Sequence, residues 1–301
     1  ELEHYDDKLD INDLGFLQRN DISRVGLEAT YSQPNLGWAR QLNLNSKTIY
    51  EENGDGDVTR KGISLSTTTL LNNLGRIQAS ALLFGRRTDD LESFDNGNFT
   101  IPDRWEFNVD YFSDSSRPFS YRVGVDWDQE KVDGHATKAR VGLNWRPSSR
   151  MKIELLAEHV RRDGWLLHQE EQNFTAFKTK EWRPTLAIDY FFTASQQLRL
   201  SAQWVAIQAR ERDFFLIPGD GGELLPSGKP PGPTDDFTIS NLNVQLRYRW
   251  ELAPLSDLFV VYTLSGSAGE PRDSFSTLLQ SAYEDPVSEQ FVVKLRYRFG
   301  S

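Results

Sequence analysis

His4, His135, His159 and His168 are the only histidines in this 301-residue chain, and so the only side chains whose ordinary pKa lies near neutrality. His168 has the most suggestive neighbours. Glu170 and Glu171 follow it closely, so an acid/base site carried by a loop is conceivable. An ordinary solvated loop explains the same residues and is the preferred reading. His159 falls on the greasy side of an alternating segment. The sequence contains no nucleophile elbow, no phosphate-cradling glycine loop and no zinc-ligand spacing. The acidic run Glu51-Glu52-Asn53-Gly54-Asp55-Gly56-Asp57 has the composition of a calcium loop. Such a loop needs a Glu at its twelfth position, and counting from Glu51, Glu52 or Asn53 finds Gly62, Ile63 or Ser64. A tight hairpin loop fits better. The chain therefore reads as a non-enzyme with no metal and no cofactor.

The other charged residues follow a different logic. In the closing segment, Phe291, Val293, Leu295, Tyr297 and Phe299 alternate with Val292, Lys294, Arg296 and Arg298. A strand with one apolar face and one strongly charged face meets two solvents, which in a membrane barrel are lipid outside and a wet lumen inside. The same period of two runs through Trp105–Tyr111, Tyr121–Trp127, Ala139–Trp145, Met151–Ala157, Trp182–Tyr190, Leu198–Trp204 and Leu242–Trp250. Shorter or more polar alternation marks Val25–Tyr31, Leu42–Tyr50, Ile63–Thr67, Ile77–Leu83 and Leu258–Leu264. Pro184 lies inside one of these segments and should leave a bulge or a gap in the ladder.

The connections alternate in length. Short turns are expected at Pro34-Asn35, Asn72-Asn73, Ser115-Ser116, Pro147-Ser148-Ser149, Ala194-Ser195-Gln196 and Ala253-Pro254. Longer links are expected over 51–58, 87–103, 161–180, 210–236 and 265–287, with a brief one near Asp133-Gly134. Short periplasmic turns and long extracellular loops are the habit of outer-membrane barrels. The thirteen segments need one more, because the strand at Val25 runs down into a short turn. Only residues 1–11 supply the ascending strand before it. The expected fold is all-β: a transmembrane, up-and-down antiparallel β-barrel, with fourteen strands favoured over twelve or sixteen. The whole of 1–301 is one barrel domain, with 1–21 as first strand followed by an inward or loop segment.

Parity assigns the lumen. Arg122, Asp126, Arg140, Arg146, Glu154, Arg247, Arg249, Lys294, Arg296 and Arg298 all face inward. Neighbouring strands offer opposite charges, Asp126 to Arg140 and Glu154 to Arg140 or Arg146. Such pairs commonly brace a wall. The basic stripe at Arg247, Arg249, Arg296 and Arg298 would favour anionic or sugar-acid solutes if the lumen is open. Phe214, Phe215, Leu216 and Ile217 form an apolar cluster suited to a lid, a partner surface or a wall extension.

Composition excludes other classes. Apolar residues are 38% and no stretch reaches the roughly 18 apolar residues of a membrane helix. A net charge of −10 argues against a nucleic-acid binder. Cysteine is absent, which removes disulfides and thiolate metal sites. No signal peptide opens the chain, and Glu1-Leu2-Glu3-His4 reads as the middle of something longer.

The stretches NDLGFLQRND at 12–21, PLSDLFVVYT at 254–263 and VVKLRYRF at 292–299 resemble an uncharacterised family. Its members carry a signal peptide, a carbohydrate-binding domain similar to family nine, and a C-terminal domain of unknown function expected to be an outer-membrane barrel. The resemblance covers the barrel part only and implies location and a link to glycans. It transfers no catalytic residue. The expected place is the outer membrane of a Gram-negative bacterium. Outer-membrane lipid, lipopolysaccharide and the barrel assembly machinery are the expected partners, with a carbohydrate-binding domain or a surface or periplasmic protein beside them. The expected role is a pore or substrate-specific channel, with glycan-related solutes in view. The alternative is a plugged barrel that anchors a partner.

Overall fold

Alternating sequence becomes alternating wall. The computed structural model describes residues 1–6, 8, 21–269 and 274–299, and strands dominate it. In chain order they are β1 (Leu2–Tyr5), β2 (Ile22–Pro34), β3 (Ala39–Asn53), β4 (Val58–Leu71), β5 (Arg76–Phe84), β6 (Arg87–Asp89), β7 (Phe99–Ile101), β8 (Arg104–Phe112) and β9 (Phe119–Gln129). Then come β10 (His135–Ser148), β11 (Met151–His168), β12 (Asn173–Trp182), β13 (Thr185–Thr193), β14 (Gln196–Leu216), β15 (Leu225–Ser227), β16 (Phe237–Ala253) and β17 (Ser256–Ala268). Helix α1 (Phe275–Glu284) precedes the last strand, β18 (Pro286–Arg296).

One antiparallel sheet follows the path β1-β2-β3-β4-β5-β8-β9-β10-β11-β12-β14-β16-β17-β18, almost entirely a chain-order meander. β12 and β13 are two halves of one wall position, because both pair with β11 on one side and β14 on the other. The break falls at Arg183-Pro184. Proline has no N–H to give to the ladder, so the expected irregularity is a gap. No residue is inserted: His159 pairs with Trp182 and Leu156 with Thr185, three steps on each strand. Residues 10–20, expected as an inward or loop segment, lie outside the described residues.

The faces separate by parity. Trp105, Phe107, Val109, Tyr121, Val123, Val125, Val141 and Trp145 are exposed on the outside. Asp110, Asp126 and Arg140 on the other face are 4%, 7% and 8% exposed. Outward aromatics gather in two bands, Trp105, Trp127 and Trp182 toward the long links and Tyr121, Trp145 and Tyr190 toward the short turns. Amphipathic rings at two levels are what two membrane interfaces select.

Two links differ from expectation. Residues 161–180 form strand for most of their length, since β11 runs 18 residues to His168 and β12 begins at Asn173, with the 21-residue β14 beside them. That is well past the roughly nine to eleven a tilted crossing needs. The reason is apolar: Leu166, Phe174, Ala176 and Ile217 pack in one buried cluster with Phe99, Ile101 and Leu224. The link over 265–287, expected to be a loop, contains α1. Ser274 caps it, its hydroxyl accepting from the Ser276 N–H at 3.2 Å. Leu278 and Ala282, one turn apart, are fully buried against Trp204, Ala206, Leu242 and Leu264. Burying Leu278 is worth about 2 kcal/mol. These wall residues have outward parity, so α1 lies on the outside of the wall, at the aromatic band facing the long links. Trp204, expected outward, is outward but covered. Its indole N–H donates to Ser240 Oγ at 2.9 Å, and that hydroxyl donates to the Leu278 carbonyl at 3.1 Å.

Helix and wall approach closely only because residue 266 is glycine. A Cβ there would stand 1.6 Å from the Ala282 carbonyl oxygen. Gly266→Val should therefore lift α1 off the wall at a cost of about 1–3 kcal/mol while the barrel still forms. Brominated-lipid quenching of Trp204 should rise, measured against a Trp204→Phe control. Unchanged quenching would show that α1 does not depend on this contact.

Candidate functional site

The interior of the wall is divided by charge. On β2–β5 the inward residues are mostly neutral and polar, such as Thr30, Asn43, Asn45, Ser66, Thr68, Gln78 and Ser80. On β8–β11 they are charged and tightly paired. Arg122 grips Asp110 with both ends of its guanidinium, Nε to Oδ1 at 2.9 Å and Nη2 to Oδ2 at 3.0 Å. Arg140 joins two carboxylates, Nη1 to Asp126 Oδ2 at 3.0 Å and Nη2 to Asp110 Oδ2 at 3.2 Å. Lys138 adds a second cation to Asp126 at 2.8 Å. The planar fork of arginine suits such bidentate bridging, which a lysine could not replace. Gly124 makes room for it, since a Cβ there would fall 2.0 Å from Asp110 Oδ1.

The expected pairing of Asp126 with Arg140 is present. The expected pairing of Glu154 with Arg140 or Arg146 is not. Glu154 meets Lys152 at 2.8 Å and Asn144 at 3.1 Å. Arg146 turns to the short-turn rim, where Nη2 donates to the Ser115 carbonyl at 2.6 Å. Arg140 is already committed to two aspartates, and a guanidinium holds few more acceptors. The basic stripe is partly neutralised. Asp257, 1% exposed, binds Arg249 at 2.9 Å and also Arg296. Arg247 donates to Gln245 at 2.9 Å, and the Arg298 backbone N–H donates to Ser256 Oγ at 3.0 Å. Lys294 stands opposite Phe259 in the β17–β18 register. Parity located these cations, but Asp257 sits in a turn-proximal position that alternation does not single out.

Two cavities lie along the charged side. One, about 610 Å³, is toward the short turns and is lined by Arg122, Asn144, Glu154 and Gln203 among others. The other, about 680 Å³, is toward the long links and is lined by Arg104, Glu130, Lys131, Arg162, Trp165, Phe177 and Phe237, with Glu92 and Phe94 from the link 85–103. Along β9 the Asp126 network stands between the two levels.

The link 85–103 reaches far from its origin between β5 and β8. Asp90 accepts from Asn53 at the end of β3, at 3.5 Å. Asp89 meets Lys131 of the β9–β10 turn at 3.8 Å, and Glu92 meets it too. Phe99 packs edge-on against Phe174 of β12, ring centres 5.1 Å apart. The Thr100 N–H donates to the Gly222 carbonyl at 2.8 Å and its hydroxyl to Gly221 at 2.9 Å. A segment touching wall positions from β3 to β14 crosses the mouth. The cover is thus this β6–β7 hairpin. The 214–217 cluster, read from sequence as lid, partner surface or wall extension, continues β14 and contributes Ile217 and Phe215 to the hairpin's seat. The signal available in sequence was Phe99-Thr-Ile101 between turn residues. His168 meets Phe94 at a tilt and Phe174 edge to face, ring centres 5.6 and 5.2 Å apart, and His159 stacks on Trp182 at 4.4 Å. Among the described residues no cluster of metal-ligating side chains occurs.

A continuous antiparallel meander, an apolar exterior banded with aromatics and a charged interior together define a transmembrane β-barrel of the outer-membrane type. The chain belongs to the family described as "Domain of unknown function (DUF5916)", which matches residues 1–299. Among solved structures, "Outer-membrane expressed OmpT of Vibrio cholerae" is similar over 93% of this chain and 96% of its own, at 8% sequence identity and a TM-score of 0.32. No curated protein matches.

Arg140→Ala would leave Asp110 and Asp126 buried with less compensation. It should cost about 3–5 kcal/mol in urea unfolding of the refolded barrel, against a smaller loss for the more exposed Arg122→Ala. Equal losses would show that the network is not organised around Arg140. Above the membrane, Arg212 donates to Asp163 Oδ1 at 3.0 Å and to its carbonyl at 2.9 Å. That hydrogen bond holds the Asp163 carboxyl below the usual aspartate range. A lowered folded pKa stabilises at pH above the unfolded value of about 3.9 and is lost as pH falls through the folded value. Hydrogen exchange at 133–135 and 163–165 should accelerate over that acid window in the native chain, and Arg212→Ala should abolish the acid dependence.

Proposed function

We propose that this barrel is a gated pore for small hydrophilic solutes in the outer membrane of a Gram-negative bacterium. The observation that carries the reading is a pair of cavities, one toward each mouth, each lined by charged and amide side chains as well as apolar ones. A lumen packed shut by its own side chains would leave no such free volume at either level. The hairpin β6–β7 is the gate. Its seat on β11, β12 and β14 is one apolar cluster with a few hydrogen bonds and ion pairs, a size of contact that opens more readily than a strand ladder. The resemblance described above points to glycan-derived solutes and to a carbohydrate-binding domain working beside the barrel. Lipid and lipopolysaccharide surround it in this reading. The barrel assembly machinery inserts it in this reading.

The burial of Asp110, Asp126 and Arg140 favours a second reading, a lumen closed by paired charge that anchors a partner. Planar-bilayer recording separates the two. The native barrel should conduct in brief openings, and Phe99→Asp, which puts a charge into the hairpin's apolar seat, should lengthen them and raise mean current several-fold. A folded barrel that stays silent in both forms would leave the anchor.

A further inference from the structure

The cavity beneath the hairpin contains charged groups whose bonding capacity is unmet. Glu130, 9% exposed, has Oε1 buried without a hydrogen-bond partner, and its ion-pair partner Arg162 Nη1 stands 3.7 Å away. Arg104 meets Glu106 through Nη2 at 3.1 Å, yet its Nε is buried without an acceptor. Arg162 also keeps a buried Nε without a hydrogen bond, 3.4 Å from Glu181. The remaining charges at this site are engaged, Lys131 by Asp89 and Glu92, and Asp235 by the Thr175 hydroxyl at 2.8 Å. A buried acceptor lacking a donor and buried donors lacking acceptors are costly unless something supplies both. Burial also pushes the Glu130 carboxyl up, the direction expected of a carboxylate with too few donors. Beside these groups stands an apolar wall. Phe237 meets Trp165 and Phe177 edge to face at 6.0 and 5.3 Å.

We propose that this cavity binds a zwitterion bearing a primary ammonium, a carboxylate and an apolar side chain. Glu130 takes the ammonium, Arg104 and Arg162 take the carboxylate, and the side chain lies against Trp165 and Phe237. Free amino acids and the ends of short peptides share this chemistry. The proposal deepens the pore reading by naming a solute class, but binding does not require conduction. Its charge logic also differs from that of a neutral sugar, which needs no buried ions of both signs.

The test is calorimetry on the whole chain folded in detergent micelles, with L-phenylalanine, the dipeptide Gly-Phe, N-acetyl-phenylalanine, phenylalanine amide and maltotriose as probes. L-phenylalanine or Gly-Phe should bind, and whichever binds tells free amino acid from peptide. Each capped form should bind about ten-fold more weakly or worse. Glu130→Gln should erase the preference for a free ammonium, and Arg104→Lys should weaken the preference for a free carboxylate, with heat-modifiable migration confirming that both fold. Trp127→Ala, on the lipid face, should bind as the native chain does. No heat from either zwitterion, equal binding of the capped forms, or binding of maltotriose alone would overturn the proposal. A barrel that binds but does not conduct would sink the pore and leave this site standing. One that conducts without binding would do the reverse.

Discussion

Every backbone N–H and C=O at the depth of the hydrocarbon must find its partner in the next strand, since no water is there to take its place. The rest of this structure follows from that constraint. It forces neighbouring strands into long unbroken ladders, and it fixes which residues face lipid by parity alone. The price appears at Pro184, where the ladder opens without slipping. Had the register shifted there by one residue, every side chain of β13 would have exchanged lipid for lumen. The flanking pairs His159–Trp182 and Leu156–Thr185 hold it in step.

The constraint also explains where charge went. Once the outside is assigned to apolar residues, any polar side chain on a strand must face inward, so the lumen collects charge by default. What the chain adds is order. Asp110, Arg122, Asp126, Lys138 and Arg140 pair with one another on three adjacent strands, with Arg140 Nε alone left without an acceptor among them. Low accessibility strengthens those bonds and makes any unpaired member costly. The neutral amides and hydroxyls of β2–β5 carry no such requirement. The lumen is therefore braced most densely on β8–β10, with a smaller ion bridge at Arg24 of β2.

The wall was legible in the sequence because period-two alternation is local and repeated. Trp105–Tyr111 or Ala139–Trp145 can be assigned without knowing any other strand. The Asp126–Arg140 pair was legible too, since parity and a short connection place them together. What stayed hidden depended on distant contacts. Phe275, Leu278, Leu279, Ala282 and Tyr283 follow helical spacing, but the segment is short and its apolar side makes sense only against Trp204 and Gly266. How far the strands rise above the membrane is hidden in the sequence, because Arg161–Lys180 mixes charge with apolar residues. Their support comes from Phe99 and Ile101, some seventy residues earlier in the chain. Glu154 went to Lys152 and Asn144 because parity gives a face, while the partner on that face is decided by reach and competition.

The direction of the strands carries one last consequence. β2 runs from the long-link end at Ile22 toward the short-turn end at Pro34, and β18 runs the same way from Pro286 to Arg296. Two strands of like direction cannot pair antiparallel with each other. In an up-and-down wall the position between them belongs to a strand of opposite direction. β1 has that direction, pairing antiparallel with β2 from Leu2 against Val25 to Tyr5 against Ile22. Its inward Glu3 shares Arg24 with Glu51 of β3, at 2.7 and 2.6 Å. An ion bridge spanning three wall positions ties β1 into the lumen by the same device that braces β8–β10. The wall and its interior charge are thus one problem: the strand that the backbone geometry calls for is fastened where the side-chain pairing allows.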